Sequence, residues 1–296
     1  MKVLIAIDSS SGAHQVLDEA AARPWPEGTT FCVANVVDVQ RFARLPALLE
    51  DGKRAGETVV KAGAEKLTRS GHRAYSEIIV GYPRSGLSGY AKEWHADLIM
   101  AGSHGRSAIG RFLLGSVAQG ILRTASCSVE IVRAASGGPM PSSHPMRILL
   151  TTDGTDFSLA AAHSVVTRPW PAGTVFRILS AEELVVVESP MAASSLSAIY
   201  PATLLEELMA DAHSRAVSAA EGTRAIFKQA GVTALDEQMI PTGDPRAVIL
   251  DAARAWPADL IVLGSHGRRG LDRFLMGSVA ESVAIHAHCS VEVIRS

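Results

Sequence analysis

Cysteine is scarce in this chain. Cys32, Cys127 and Cys289 are the three present in 296 residues, too few for a disulfide framework. Charge of one sign is not in excess either. Twenty-eight Lys and Arg against thirty Asp and Glu leave a net −2, which offers no electrostatic footprint for nucleic acid and no acidic tail. Long apolar runs are missing: Leu184–Leu205, the most apolar long stretch, is interrupted by Glu188, Pro190 and Pro201 and is too broken to span a membrane. Met1–Ser10 carries Asp8 and no small-residue cleavage site, so it reads as a strand and not as a signal peptide. Neither a Gly-x4-Gly-Lys-Ser/Thr loop, nor a nucleophile elbow, nor a pair of catalytic carboxylates is found. These absences leave a cytoplasmic globular protein, without nucleic acid or membrane as partner, as the expectation.

What is present is a repeat. Ala96–Arg133 and Ala258–Arg295 align without gaps at an offset of 162 and are identical at 22 of 38 positions. Both keep Gly-x2-Gly-x9-Gly-Ser, as Gly102, Gly105, Gly115, Ser116 and as Gly264, Gly267, Gly277, Ser278. Val3–Asp8 matches Ile148–Asp153, and Arg23–Thr29 (RPWPEGT) matches Arg168–Thr174 (RPWPAGT), at an offset of 145. The second copy therefore holds 162 − 145 = 17 extra residues, most simply placed in Ser189–Thr203. Ala134–Met146, rich in Gly, Pro and Ser, reads as a linker. The expected organisation is one domain over 1–135, a linker over 136–145 and a second domain over 146–296.

Within each copy short Val, Ile and Leu runs without polar alternation alternate with helix-compatible stretches. In the first copy the strands are Val3–Ile7, Thr30–Val37, Tyr75–Val80, Asp97–Ala101 and Ser128–Val132. Such strands are covered on both faces. The expected fold is α/β, two tandem domains, each a doubly wound five-stranded parallel sheet with helices on both faces.

Gly102 follows the fourth strand at its carboxyl end, where ligands collect in open α/β sheets. Gly102 and Gly105 permit positive φ and let backbone N–H groups approach an anion. Gly115–Ser116 opens the next helix, whose N–H groups and dipole favour phosphate. Arg106 and Arg268 are candidate charge partners. A simpler alternative is that the glycines make turns and that Ser116 and Ser278 cap helices.

GSHGRSAIGRFLLGSVA and GSHGRRGLDRFLMGSVA resemble the signature of the universal stress protein family, in its nucleotide-binding branch. The resemblance covers nearly the whole chain. It implies five-stranded parallel sheets, pairing of domains through their last strands, and ATP, with Mg as a candidate companion, held with little chemistry. It also implies that Asp8 and Asp153, ending the first strands, approach the adenosine, and that Val36 and Val37 offer backbone to adenine. Val117 and Val279, which follow the motif serines, join the loop residues as candidate ligand contacts. In the second copy Ala181 and Glu182 stand at the positions of Val36 and Val37, which predicts a carboxylate turned towards the base and a weaker second site.

Asp8 and Asp153 have a second reading, as Asx-type caps of the following loop. His104 and His266, in the loop without a partner carboxylate, are expected to face solvent. His286, His288 and Cys289 carry liganding atoms, yet Thr124, Ser126 and Cys127 replace them in the first copy, so no metal site is expected. The function expected is an ATP-binding stress-response regulator acting on an unknown protein partner, with chains associating into a homodimer. The alternatives are a slow ATPase or self-phosphorylating enzyme, and a paired scaffold with an empty second pocket.

Overall fold

The computed structural model describes residues 1–42, 47–104, 114–133, 145–183, 201–233, 236, 238–268 and 276–295. Most of the predicted linker and most of the predicted insertion lie outside the described residues. The first copy runs β1 (Lys2–Ala6), α1 (Ser11–Ala22), β2 (Thr30–Asp38), α2 (Val39–Phe42), α3 (Ala47–Arg69), β3 (Arg73–Gly81), α4 (Pro83–Trp94), β4 (Leu98–Gly102), α5 (Ser116–Thr124) and β5 (Ser128–Val132). The second runs β6 (Arg147–Thr151), α6 (Asp156–Val166), β7 (Val175–Leu179), α7 (Ala202–Gln229), α8 (Pro245–Ala255), β8 (Leu260–Gly264), α9 (Ser278–His286) and β9 (Ser290–Ile294).

The described strands join one nine-stranded sheet, in the order β3-β2-β1-β4-β5-β9-β8-β6-β7. Pairing is parallel within each copy and antiparallel where β5 meets β9. The last strands thus cover each other's edges, as a paired edge requires. The position of a fifth strand in the second copy is held by Asp236 and residues 238–243. There Asp236 donates to the Phe176 carbonyl at 2.7 Å and Met239 to that of Ile178 at 2.9 Å. This segment forms two isolated bridges, Leu179↔Met239 and Glu182↔Thr242. Pro241 within it lacks a donor for any ladder.

One apolar core lies under α4, α5, α8 and α9 and runs unbroken from Ile99 and Ile121 in the first copy to Ile261 and Val283 in the second. On the opposite face each copy keeps its own core, under α1 and α3 and under α6 and α7. In α7 the buried residues Ala212, Ala216, Ala219, Ala220, Thr223 and Phe227 recur at helical spacing, so one stripe docks on the sheet. Both long helices stop at a glycine of positive φ, Gly71 at +89° and Gly231 at +70°. In both, the next residue's N–H closes back on the last turn (His72 to Leu67, Val232 to Phe227, each 3.0 Å). No helix among the described residues is long and apolar enough to cross a membrane.

Candidate functional site

Two cavities lie at the carboxyl ends of the strands, one in each copy. The first, of about 750 Å³, is bounded by the ends of β1, β2 and β4 and by the starts of α4 and α5. The second, of about 480 Å³, is bounded by β6, β7 and β8 and by the starts of α8 and α9. Both are of ligand size.

The motif loops return where the spacing predicts. Gly115 N–H donates to the Ser103 carbonyl at 2.7 Å, and Gly277 N–H to that of Ser265 at 2.8 Å. Each loop is thereby closed between the exit of one strand and the entry of the next helix. Gly115 and Gly277, not the serines, are the N-cap residues, and no side chain among the described residues caps either helix. Ser116 and Ser278 occupy the first helical position, exposed, beside Val117 and Val279 in the pocket walls. The capping alternative therefore does not describe these hydroxyls. An uncapped helix start carries unspent N–H groups and the positive end of the dipole.

Of the two reasons expected for Gly102, positive φ and the lack of a Cβ, the second is the one the structure uses. Gly102, Gly264, Gly267 and Gly277 are absent from the positive-φ residues; what each needs is room. A Cβ on Gly264 would meet the Phe157 carbonyl at 2.7 Å, and one on Gly277 would meet the Ser265 oxygen at 3.0 Å. On Gly102 a Cβ would lie 3.3 Å from the Gly12 oxygen. These glycines let the first helix of each copy and the loop itself press against the strand exit. Gly105 and Arg106 lie outside the described residues.

Asp8 and Asp153 both line their pockets, and both make Asx-type turns. Asp8 accepts from the Ser10 N–H at 2.9 Å and from its hydroxyl. Asp153 accepts from the Thr155 N–H at 3.1 Å and its hydroxyl at 2.6 Å. Its second oxygen accepts from the Arg268 N–H at 3.1 Å, which binds the motif loop to the first strand. The Arg268 guanidinium, expected to await an anion, instead donates through Nε to the Asp153 carbonyl at 3.0 Å.

Val36 and Val37 line the first pocket at the end of β2, together with Asn35 and Asp38. Their second-copy counterparts require a correction. Glu182 is buried away from the pocket, with His213 Nδ1 3.0 Å from its carboxylate. The glutamate at the second pocket is Glu183, at the position matching Asp38, so both pockets carry a carboxylate there. Chain direction explains it: successive side chains of extended backbone point to opposite sides. Ala181 keeps the place of Val36 with a smaller wall.

His266 also departs from expectation. It is 7% exposed, with its ring 4.8 Å from that of Phe157 and Nδ1 2.9 Å from the Ser265 hydroxyl. His104 is half-buried and makes the equivalent contact with Ser103 at 3.0 Å. These imidazoles brace the loop from inside. Sequence reasoning also missed Asn35, whose amide donates to the Ile7 carbonyl at 2.7 Å, and Pro245 and Ile249 of α8 in the second pocket. Only Asn35, a polar residue in an apolar strand, left a signal.

Comparison with known proteins agrees with this architecture. The family model described as "Universal stress protein family" matches residues 1–133 and 145–295. A putative universal stress protein of Staphylococcus aureus (strain USA300) is 30% identical over 137 residues, covering 44% of this chain and 82% of that protein. The crystal structure of a universal stress protein from Archaeoglobus fulgidus DSM 4304 superposes with a TM-score of 0.67 at 19% identity, covering 99% of this chain and 96% of that one. A functionally unknown protein from Pseudomonas aeruginosa PAO1 gives 0.59 at 16% identity, covering 99% and 92%.

Proposed function

This chain belongs to the universal stress protein family, and from that premise we propose that it is a cytoplasmic regulator which binds adenine nucleotide, ATP in the first instance, in each copy. One observation carries the reading. In both cavities an uncapped helix start, Ser116–Ala118 or Ser278–Ala280, faces the same space as a first-strand aspartate, Asp8 or Asp153. The helix start suits phosphate, the carboxylate suits ribose hydroxyls, and Val36 or Ile249 gives a base an apolar wall. The serine hydroxyls add a donor to phosphate. Mg would travel with the phosphates. Bound nucleotide alters the surface shown to a protein partner, and two chains associate as a homodimer, a point that light scattering decides.

The test is calorimetric titration of the full chain with ATP, using Ser116→Trp and Ser278→Trp. Each replacement puts a neutral, bulky side chain at an exposed helix position, which blocks the pocket without burdening the fold. Two sites are expected in the native chain and one in each variant. Unchanged stoichiometry in the variants overturns the assignment. A single site in the native chain favours the scaffold with an empty second pocket, and turnover above about one per minute, far below ordinary enzyme rates, favours the enzyme.

A further inference from the structure

The residue that follows each last strand reaches into the other copy. Arg133, after β5, donates through Nε to the Ala287 carbonyl at 2.7 Å and through one terminal nitrogen to Ala284 and Ile285 at 2.8 Å. Its own N–H donates to the Ser290 hydroxyl at 3.1 Å. These carbonyls are the C-terminal end of α9. Arg295, after β9, makes the reciprocal contact with the Leu122 carbonyl at the end of α5, and its N–H donates to the Ser128 hydroxyl at 3.2 Å. Orphan carbonyls and the negative end of a helix dipole are thus satisfied by a cation from the opposite copy.

Each arginine is also one residue from a motif loop. The Val132 carbonyl accepts from the Ser103 N–H at 3.0 Å, and the Ile294 carbonyl from the Ser265 N–H at 2.9 Å. Ser103 and Ser265 in turn accept from Gly115 and Gly277 and so close the loops of the two pockets. A continuous line of contacts follows. From the second pocket it passes along α9, from Ser278 to its carbonyl end, then through Arg133 and Val132 to Ser103 and the first pocket. The mirror line passes from the first pocket along α5 through Arg295 and Ile294 to Ser265. A third link crosses between the same helices, where Arg123 Nε donates to Glu281 at 2.6 Å.

We infer that the two pockets are positively coupled, with Arg133 and Arg295 carrying the coupling through α9 and α5. The inference rests on the nucleotide reading above. An anion at the start of α9 restrains that helix, its far end then holds Arg133 in place, and Val132, Ser103 and Gly115 are held in position at the first pocket. The second ligand pays less ordering entropy than the first. Neither arginine is among the residues lining a pocket, so they act on position and not on contact.

The experiment uses the full chain with a photo-crosslinkable ATP, mapping the labelled peptides to read occupancy of each copy separately. Blocking the second pocket by Ser278→Trp is expected to weaken the first by about five-fold or more, the lower end of ordinary coupling. In an Arg133→Met background the same block is expected to change first-pocket affinity by less than two-fold. A purely structural arginine would lower affinity equally with the second pocket open or blocked. Ser116→Trp with Arg295→Met repeats the test in the other direction if the first variant folds poorly. Labelling of both copies with no dependence of either on the other overturns the coupling alone. Absence of labelling in both copies overturns the nucleotide reading itself.

Discussion

Glu130 and Glu292 stand directly opposite each other in the antiparallel β5–β9 register, at 0% and 1% exposure. At the repeat offset of 162 they are equivalent residues, so the pseudo-twofold axis of the molecule passes between them. Like charges directly opposite are destabilising, and each is answered by its own arginine. Arg23 reaches Glu130 at 2.5 and 3.0 Å, and Arg168 reaches Glu292 at 2.8 and 2.9 Å, both bidentate. Arg23 also lies over the rings of Trp25 and Trp170, at 5.4 and 5.5 Å. The repeated RPWP segments thus supply the cations of the seam, one of them touching the tryptophan of the other copy.

Arg23→Met removes the cation and leaves the Glu130 carboxylate buried opposite Glu292 without that partner. A loss of about 3–5 kcal/mol is expected, read from urea unfolding. Stability within two-tenths of the native value would show that the cluster is neutral to folding.

The seam also sets a pH dependence. Burial, and then the neighbouring Glu292 charge, push the Glu130 carboxyl above its ordinary value near 4.5, against the pull of Arg23. The folded state therefore holds this proton more tightly than the unfolded chain. That contribution is fully present below about 4.5 and is lost as pH rises through the folded value. Urea midpoints across this range should fall less steeply, or not at all, for Glu130→Gln. Parallel profiles for the two proteins would contradict the assignment.

Glycines divide by the space around them. Gly264→Ala should destabilise by about 1–3 kcal/mol through overpacking, since its Cβ would meet the Phe157 carbonyl at 2.7 Å. Gly89 in α4 and Gly222 in α7 have nothing within 4 Å of an added Cβ. Alanine at either should stabilise by about 0.5–1 kcal/mol. Thermal melts of the three variants check both directions.

Of the neighbouring glutamates, only Glu183 faces the second pocket. Removing its charge by Glu183→Gln should tighten binding of an anionic nucleotide there by about two- to five-fold, as expected for a partly exposed charge. Glu182→Gln should leave it within two-fold. Calorimetry on Ser116→Trp chains isolates that pocket, and the opposite ranking would restore the prediction made from the ungapped alignment.

The thiols should be slow to react. Burial pushes Cys32 and Cys127 up to about 11 and Cys289 up to about 12. At pH 8 the thiolate fraction then falls on the order of a hundredfold below that of a free thiol. A colorimetric disulfide reagent should titrate them rapidly only after denaturation.

Much of the architecture was legible because it depends on local pattern. Apolar runs of five or so residues, proline and glycine stops, and two copies of one segment lead to parallel strands between helices, and an exposed last strand calls for a partner. The motif spacing located both loops, whose ends meet at Gly115–Ser103 and Gly277–Ser265. The two cavities were legible in outline, since Asp8, Asp153, Ser116 and Ser278 all fall on their walls. Their detail was less so. His266 looked like a loop residue and is core, because nothing local shows that Phe157 of a distant helix lies against it.

The sequence by itself determined the repeat, the fold class, the loop positions and the family, since all of these follow from the order and spacing of residue types along the chain. Tertiary structure alone decided which side of the chain each of two adjacent glutamates takes, why the motif glycines need room and not positive φ, and what the arginines at 23, 133, 168 and 295 hold. The physical reason is range. Glu130 and Glu292 are far apart in the chain and adjacent in space. Burial, register and unlike-charge partners exist only once the strands have paired.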